Sequence, residues 1–586
     1  MSTAVSAPVS TRREPIEQFF PTWDGVKLFY RAWLPASQAS KALVLIHRGH
    51  EHSGRFQDLV DAIDLPDFAV FAWDARGHGR SPGQRGYAEH FSYLVRDLDS
   101  FVKFLAAEYG IQLSNMGVLA HSVGAVLAST WIHDYAPPVR ALVLASPAFR
   151  VKLYVPFALL FLRLQMKFRP KAFVKSYVKA AMLTHDREQQ ASYTSDPLIA
   201  RAIAVNILIE MYDASTRVVK DASAISVPTL LLASGNDWVV KLAAQRRFFD
   251  RLCSRKKMTV YPGFYHDLFH EQDRALPIRA AREFILECFG ESPVADSLLS
   301  GDRNRVEYES LSRRLPAFSP AGLFWSAQRI FLKTVGQLSE GIRTGWRCGF
   351  DSGQSLDYVY RNQPHGITPL GKLIDRIYLS SPGWRGIRVR KTNLQRLIRT
   401  AIEQVDASGR PVQVLDVATG GGRYLLELLK DVHHVSVRAQ LRDWDQRNLD
   451  AAQSLAKQLR LTGIEFAQGD AFDRAAVAAI RPRPNVAIVS GLYELFADNQ
   501  MVLHSLQGIA DAAEERAYLI YTNQPWHPQL HMIARVLDNR EGKPWVMRCR
   551  SQAEMDELVR RAGFEKLEML IDDQGIFTVS LARRLA

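Results

Sequence analysis

The sequence predicts two α/β units in tandem, each a mainly parallel sheet covered by helices. Three observations carry that expectation. Short β-rich apolar runs alternate with helical spacing through residues 15–290, and again from 405 to 586. One run, Met116 to Leu119, stops at small residues around a single serine, and a second apolar run, Val126 to Trp131, follows. Another, from Val412, ends at Asp416 and is followed by the glycine turn Gly420-Gly421-Gly422 before a helix begins near Arg423. In such sheets, sites form where strands end.

Residues 15–35 read as a hairpin, with Phe19-Phe20 and Val26 to Trp33 flanking the turn pair Asp24-Gly25. Lys41 to Ile46 and Phe68 to Trp73 read as strands, and Leu94 to Leu105 as a helix. After the Ser122 strand and helix come strands at Ala141–Ala145, Thr229–Ala233 and Met258–Tyr261, and helical spacing from Leu276 to Phe289 closes the unit. Residues 291–319, with Pro293, Ser297 and Gly301, read as a linker. Residues 320–404 read as a helical extension, with Gly349 to Pro369 as a loop or lid within it.

At 586 residues the chain exceeds one ordinary core. Its four cysteines lie far apart with no C-x-x-C pair, which argues against a disulfide framework or a structural zinc and fits a reducing compartment. Met1 to Pro15 lacks an apolar signal core, and no uncharged apolar run reaches the roughly 18 residues of a spanning helix. A cytoplasmic protein is expected. The net charge of +13 fits nucleic acid, an anionic membrane surface or solubility alone. No RNA-binding motif accompanies it, so a nucleic-acid partner is not expected.

Ser122 sits in Ala120-His121-Ser122-Val123-Gly124, a form of the nucleophile elbow G-x-S-x-G. A hydroxyl needs a base to take its proton, and the base needs a third group to hold it. Asp237 follows the strand Thr229–Ala233, and His266 follows the strand Met258–Tyr261. The order Ser122, Asp237, His266 is that of α/β-hydrolases. With His47 to Phe56, Asp74 to Ser81 and Tyr265-His266, residues 15–290 resemble the monoacylglycerol lipase and lysophospholipase branch of that fold. The resemblance implies a serine ester hydrolase using an acyl-enzyme, with Ser122, Asp237 and His266 catalytic and the N–H groups of Gly49 and Val123 forming the oxyanion hole. Arg48, His50, Ala120 and Ala125 depart from the family pattern. The first two add bulk and charge beside the oxyanion loop, and the departures are read as altered substrate fit rather than lost catalysis.

Between Pro147 and Thr184 there is no acidic residue. Arg150, Lys152, Arg163, Lys167, Arg169, Lys171, Lys175 and Lys179 interleave with Tyr154, Phe157, Leu160, Phe161, Leu164 and Phe168. This lies in the insertion, about 147–215, that forms the cap in the resembled family. A basic apolar surface suits an anionic membrane, here the inner membrane face, and equally suits a cap packed on its own domain.

In the second half, Asp416 to Gly422 ends a strand in a glycine turn, which lets backbone approach a ligand closely. Asp443 follows a second run and Asp470-Ala471 a third. The series resembles class I S-adenosylmethionine (SAM) methyltransferases over residues 405–586, and the resemblance extends to a bacterial group with an α/β-hydrolase fused ahead. It implies a Rossmann-like domain that binds SAM through Asp416, Ala418, Gly420, Gly422, Asp443, Asp470 and Ala471, with Ala418 replacing the first glycine of the loop. Tyr424, Tyr493, Glu494 and His527 are candidates for the methyl-acceptor pocket. The whole reads as a bifunctional enzyme acting on lipid or related ester substrates. The rival readings are a methyltransferase with a non-catalytic docking module, and an RNA methyltransferase.

Overall fold

The computed structural model describes residues 12–169, 171–291, 303–432 and 434–585. The chain divides into two compact units, residues 1–295 and 296–586.

The first unit is built on an eight-stranded sheet. In chain order its strands are β1 (Ile16–Pro21), β2 (Lys27–Trp33), β3 (Lys41–Ile46), β4 (Phe68–Trp73), β5 (Met116–His121) and β6 (Ala141–Ala145). A separate cap ribbon pairs β7 (Phe173–Lys175) with β8 (Ala202–Ala204), and β9 (Thr229–Ser234) and β10 (Lys256–Tyr261) complete the sheet. The order is β1-β2-β4-β3-β5-β6-β9-β10, parallel from β4 onward and antiparallel at the opening hairpin. β4, β5, β6 and β9 are buried along their whole length. That is why each reads as an unbroken apolar run rather than an alternation.

The second unit holds β11 (Val412–Val417), β12 (Val437–Asp443), β13 (Ile464–Gln468), β14 (Val486–Val489), β15 (Tyr518–Asn523), β16 (Phe564–Ile571) and β17 (Thr578–Arg584). Their order is β13-β12-β11-β14-β15-β17-β16, with only β17 antiparallel to its neighbours. Strand order reverses between β11 and β14, and that switch point opens a crevice at the carboxyl ends of the strands. Both α/β units therefore have the expected layered form.

Two readings of the sequence need correction. The linker stretch 291–319 lies partly outside the described residues, but Arg303–Ser312 is a helix of the second unit. Arg535 donates to the carbonyl oxygens of Ser310 and Arg313, supplying partners that the last turn of a helix lacks. The supposed loop 349–369 carries a helix, Gly353–Arg361, capped by the Ser352 hydroxyl, which accepts from the Ser355 N–H. Among the described residues no helix is long and apolar enough to cross a membrane.

A tight point beside the serine turn is Gly124. A Cβ there would lie 2.4 Å from the His47 carbonyl oxygen and 2.7 Å from that of Ile46. The serine helix therefore packs directly on the end of β3. Gly124→Ala must push these backbones apart, and is expected to destabilise the first unit by about 1–3 kcal/mol, read as a lowered unfolding midpoint in denaturant.

Candidate active sites

Ser122 is the hinge between β5 and the helix Val123–Tyr135, with φ 54° and ψ −110°. Its N–H donates to the Ala145 carbonyl at 2.9 Å, which ties the strained residue to β6. The hydroxyl lies 2.8 Å from Nε2 of His266, and Nδ1 of His266 lies 2.8 Å from Oδ2 of Asp237. Oδ1 of Asp237 accepts from the N–H groups of Val239 and Val240 at 2.7 and 2.9 Å. Burial pushes this carboxyl upward, but His266 and the two N–H groups outweigh it and hold it below the ordinary range. All three side chains predicted to act together do meet.

Gly49 lies against the start of the helix, since a Cβ on it would sit 2.8 Å from Cγ2 of Val123. Gly49, Val123, Ser122 and His266 open on one cavity of about 480 Å3. Much of the remaining wall comes from the cap and is apolar, including Leu153, Leu162, Val174, Leu208 and Met211.

The charge anticipated beside the oxyanion loop is absorbed. Arg48 is buried, 2.7 Å from Glu51 and 3.5 Å from Asp267, with its guanidinium over the Tyr193 ring. Burial pushes His50 down to about 4, so its ring is neutral. Ala120 and Ala125 are both fully buried without crowding the elbow, because the close approach falls at Gly124. Sequence reading missed the layer behind His266. There Asp267 holds His270 at 3.0 Å, and the His121 ring, neutral through burial, stacks on His266. The stretches His47–Phe56 and Tyr265–Asp267 held that signal.

In the second unit a cavity of about 690 Å3 lies at the switch point. Ala418, Gly420, Gly422, Asp443, Asp470 and Ala471 all line it. Apart from the adjoining residues, no described heavy atom lies within 4 Å of where a Cβ would stand on Gly420 or Gly421, so this backbone is open to a ligand. Asp443 accepts the Gly420 N–H at 2.8 Å and the Asp445 N–H and Asn448 amide at 2.9 and 3.0 Å, fixing its carboxylate at the cavity edge.

Asp416 does not line the cavity. It is fully buried beneath the loop and accepts hydrogen bonds from the hydroxyls of Thr419 and Tyr424, both at 2.7 Å. It supports the loop rather than touching a ligand there. Tyr424 reaches the cavity wall but spends its hydroxyl on Asp416. Tyr493 turns into the core and bonds Ser505, so it leaves the acceptor set. Glu494 and His527 line a second cavity of about 350 Å3, which shares Asp351, Leu356, Arg390, Gly491 and Leu495 with the first. The helices of the extension supply much of its wall. That contribution was invisible in the sequence because apolar residues on a helix read equally as core.

These features define a protein that joins a serine–histidine–aspartate hydrolase unit to a glycine-loop unit of methyltransferase type. The chain belongs to the family described as "Putative methyltransferase", which matches residues 281–584. The family described as "Serine aminopeptidase, S33" matches residues 37–273. "Uncharacterized protein YnbC" of Escherichia coli strain K12 is 51% identical over 584 residues, covering 98% of this chain and 99% of that protein. "Monoacylglycerol lipase" of Mycolicibacterium smegmatis is 28% identical over 273 residues, covering 46% of this chain and 96% of the relative. A crystal structure of Paleococcus ferrophilus monoacylglycerol lipase, 24% identical, covers 44% of this chain and 99% of its own with a TM-score of 0.41.

Burial pushes the Asp416 carboxyl up to about 7, against the pull of Thr419 and Tyr424. The native state then holds this proton more tightly than the unfolded chain. Stability from this group is full at acid pH and is lost as pH rises from about 4 through about 7. Asp416→Asn is expected to flatten that slope for the second unit, measured as denaturant midpoints across pH 4.5–8.

Proposed function

We propose that the chain is a bifunctional enzyme, a serine ester hydrolase of lipase type joined to a SAM-dependent methyltransferase. The observation that carries the first activity is the 2.8 Å chain from Ser122 through His266 to Asp237 at the floor of an apolar cavity. His266 takes the Ser122 proton as the hydroxyl oxygen attacks the ester carbonyl. The N–H groups of Gly49 and Val123 receive the developing oxyanion, and His266 then protonates the leaving alcohol. Water returns by the same route and frees the acid. The apolar walls suit a long acyl chain.

For the second activity the cavity fits SAM. The open backbone of Gly420 and Gly421 suits close approach by a ligand. In this reading Asp443 takes the ribose hydroxyls and Asp470 with Ala471 the adenine edge, and their common position on the cavity lining supports it. SAM supplies an electrophilic methyl group, and the transfer needs positioning and exclusion of water more than acid–base groups.

The cap supports docking to an anionic bilayer, as the basic run suggested. Phe157, Phe161 and Phe168 are 77%, 63% and 84% exposed, and Leu160 is 57% exposed, around the helix Ala158–Phe168. An exposed apolar patch set in basic residues is drawn to anionic lipid. The side chain of Lys167 lies outside the described residues.

Ser122→Ala is expected to lower p-nitrophenyl octanoate hydrolysis by at least about 10⁴-fold and abolish labelling by a fluorophosphonate, with SAM affinity unchanged by calorimetry. Hydrolysis that survives the substitution would remove the nucleophile assignment. In flotation assays, the full chain should bind phosphatidylglycerol vesicles over phosphatidylcholine vesicles, and less in high salt. The triple variant Phe157→Ser, Leu160→Ser, Phe168→Ser should bind at least tenfold more weakly. Equal binding to both lipids would exclude an anionic docking surface.

A further inference from the structure

The smaller cavity beside the glycine loop is walled mostly by rings and branched side chains, among them Phe350, Trp384, Trp545 and Phe577. Its rim includes Phe331 and Ile377, 51% and 66% exposed, from the helices Pro320–Lys333 and Pro369–Leu379. Such a chamber favours an apolar occupant.

Into this wall the chain sets a small polar group. Glu494 is only 8% exposed, and its Oε2 has no hydrogen-bond partner among the described residues. Its Oε1 lies 3.3 Å from Nη1 of Arg390, which also borders the larger cavity. A buried carboxylate oxygen without a donor is costly, and a ligand hydrogen would relieve it. His527 is 4% exposed, and its Nδ1 accepts the Gln529 N–H at 3.1 Å, which leaves the ring proton on Nε2. Burial pushes the ring down to about 4, so it is neutral. The lining thus holds an open acceptor in Glu494 Oε2 and an open donor in His527 Nε2, beside Nε of Arg390 and Nε1 of Trp545, which also lack hydrogen-bond partners among the described residues. Glu494 stands on the turn Tyr493–Leu495, between Gly491 and Leu495, which border both cavities.

We propose that this cavity receives an apolar molecule bearing one hydroxyl, that this hydroxyl is the methyl acceptor, and that Glu494 takes its proton. The inference rests on the methyltransferase reading above. A hydroxyl donates to Glu494 and still has lone pairs for the His527 N–H. An ammonium has none, and a carboxylate would set a second anion beside Glu494. In the transfer the hydroxyl oxygen forms its bond to the methyl carbon as the S–CH3 bond breaks. A neutral thioether is left, and the hydroxyl proton ends on the Glu494 carboxylate.

The test uses the full chain with S-adenosylhomocysteine bound and three probes that share one ring system: 2-naphthalenemethanol, 2-naphthalenemethylamine and 2-naphthoate. Trp384 and Trp545 report binding by fluorescence. The alcohol should bind at least tenfold tighter than the amine or the acid. Glu494→Gln and His527→Phe should each erase most of that preference while S-adenosylhomocysteine affinity, measured by calorimetry, stays unchanged. Tighter binding of the amine or acid overturns the proposal, as does an alcohol preference that survives both variants. Failure of the unsubstituted chain to bind S-adenosylhomocysteine strikes instead at the methyltransferase reading.

Discussion

In each unit a left-handed backbone turn after the central strand decides where chemistry can sit. Ser122 holds φ at 54° between β5 and its helix, and Ala418, Gly420 and Gly422 hold φ at 58°, 57° and 61° after β11. A residue with a side chain in that region costs of order 1–3 kcal/mol, and persists only where its surroundings over-determine it. At Ser122 the constraint comes from the bond to Ala145 and from the Gly124 contact with β3. At the second turn it comes from Asp443 and Asp416, which hold the loop from either side. The two turns have different products. The first turn throws a single hydroxyl outward, and the second lays backbone open to a ligand.

This separation explains what was legible in the sequence. The triad was readable because each member follows its own strand, and strand ends in a parallel sheet face one way. The glycine loop was readable for the same reason. Asp416 was misplaced because spacing along a strand cannot tell a residue that faces the ligand from one that lies beneath the loop. Tyr493 failed similarly: one step along a short turn separates its core-facing ring from the cavity-facing Glu494. The helix Arg303–Ser312 was hidden because its own composition is polar, and what anchors it is Arg535, more than 200 positions later in the chain.

Arg48 shows how a residue that reads as a hazard becomes scaffold. An unpaired guanidinium beside a developing oxyanion would change the electrostatics of catalysis. Here burial alone would lower its pKa, but Glu51 and Asp267 overcome that and keep it charged and bound. Glu51 also meets Arg55 at 2.7 Å, and Asp267 meets His270. Each of these buried charges faces an opposite or protonatable partner, so the cluster acts as a brace for the loops that carry Gly49 and His266. Breaking one partner would strand the others in low dielectric.

The buried pair in the second unit differs in kind. Arg390 and Glu494 meet at 3.3 Å through one oxygen, and the other oxygen of Glu494 stays without a donor among the described residues. Asp443, by contrast, accepts three hydrogen bonds from the chain, one at 2.8 Å from the Gly420 N–H. An open acceptor at the edge of an apolar chamber is what a binding site needs. It gives orientation to an occupant that its apolar walls could hold in many poses. The two networks differ in placement: one pairs buried charges beneath the loops that carry Gly49 and His266, and the other sets a buried charge pair at the edge of an apolar cavity.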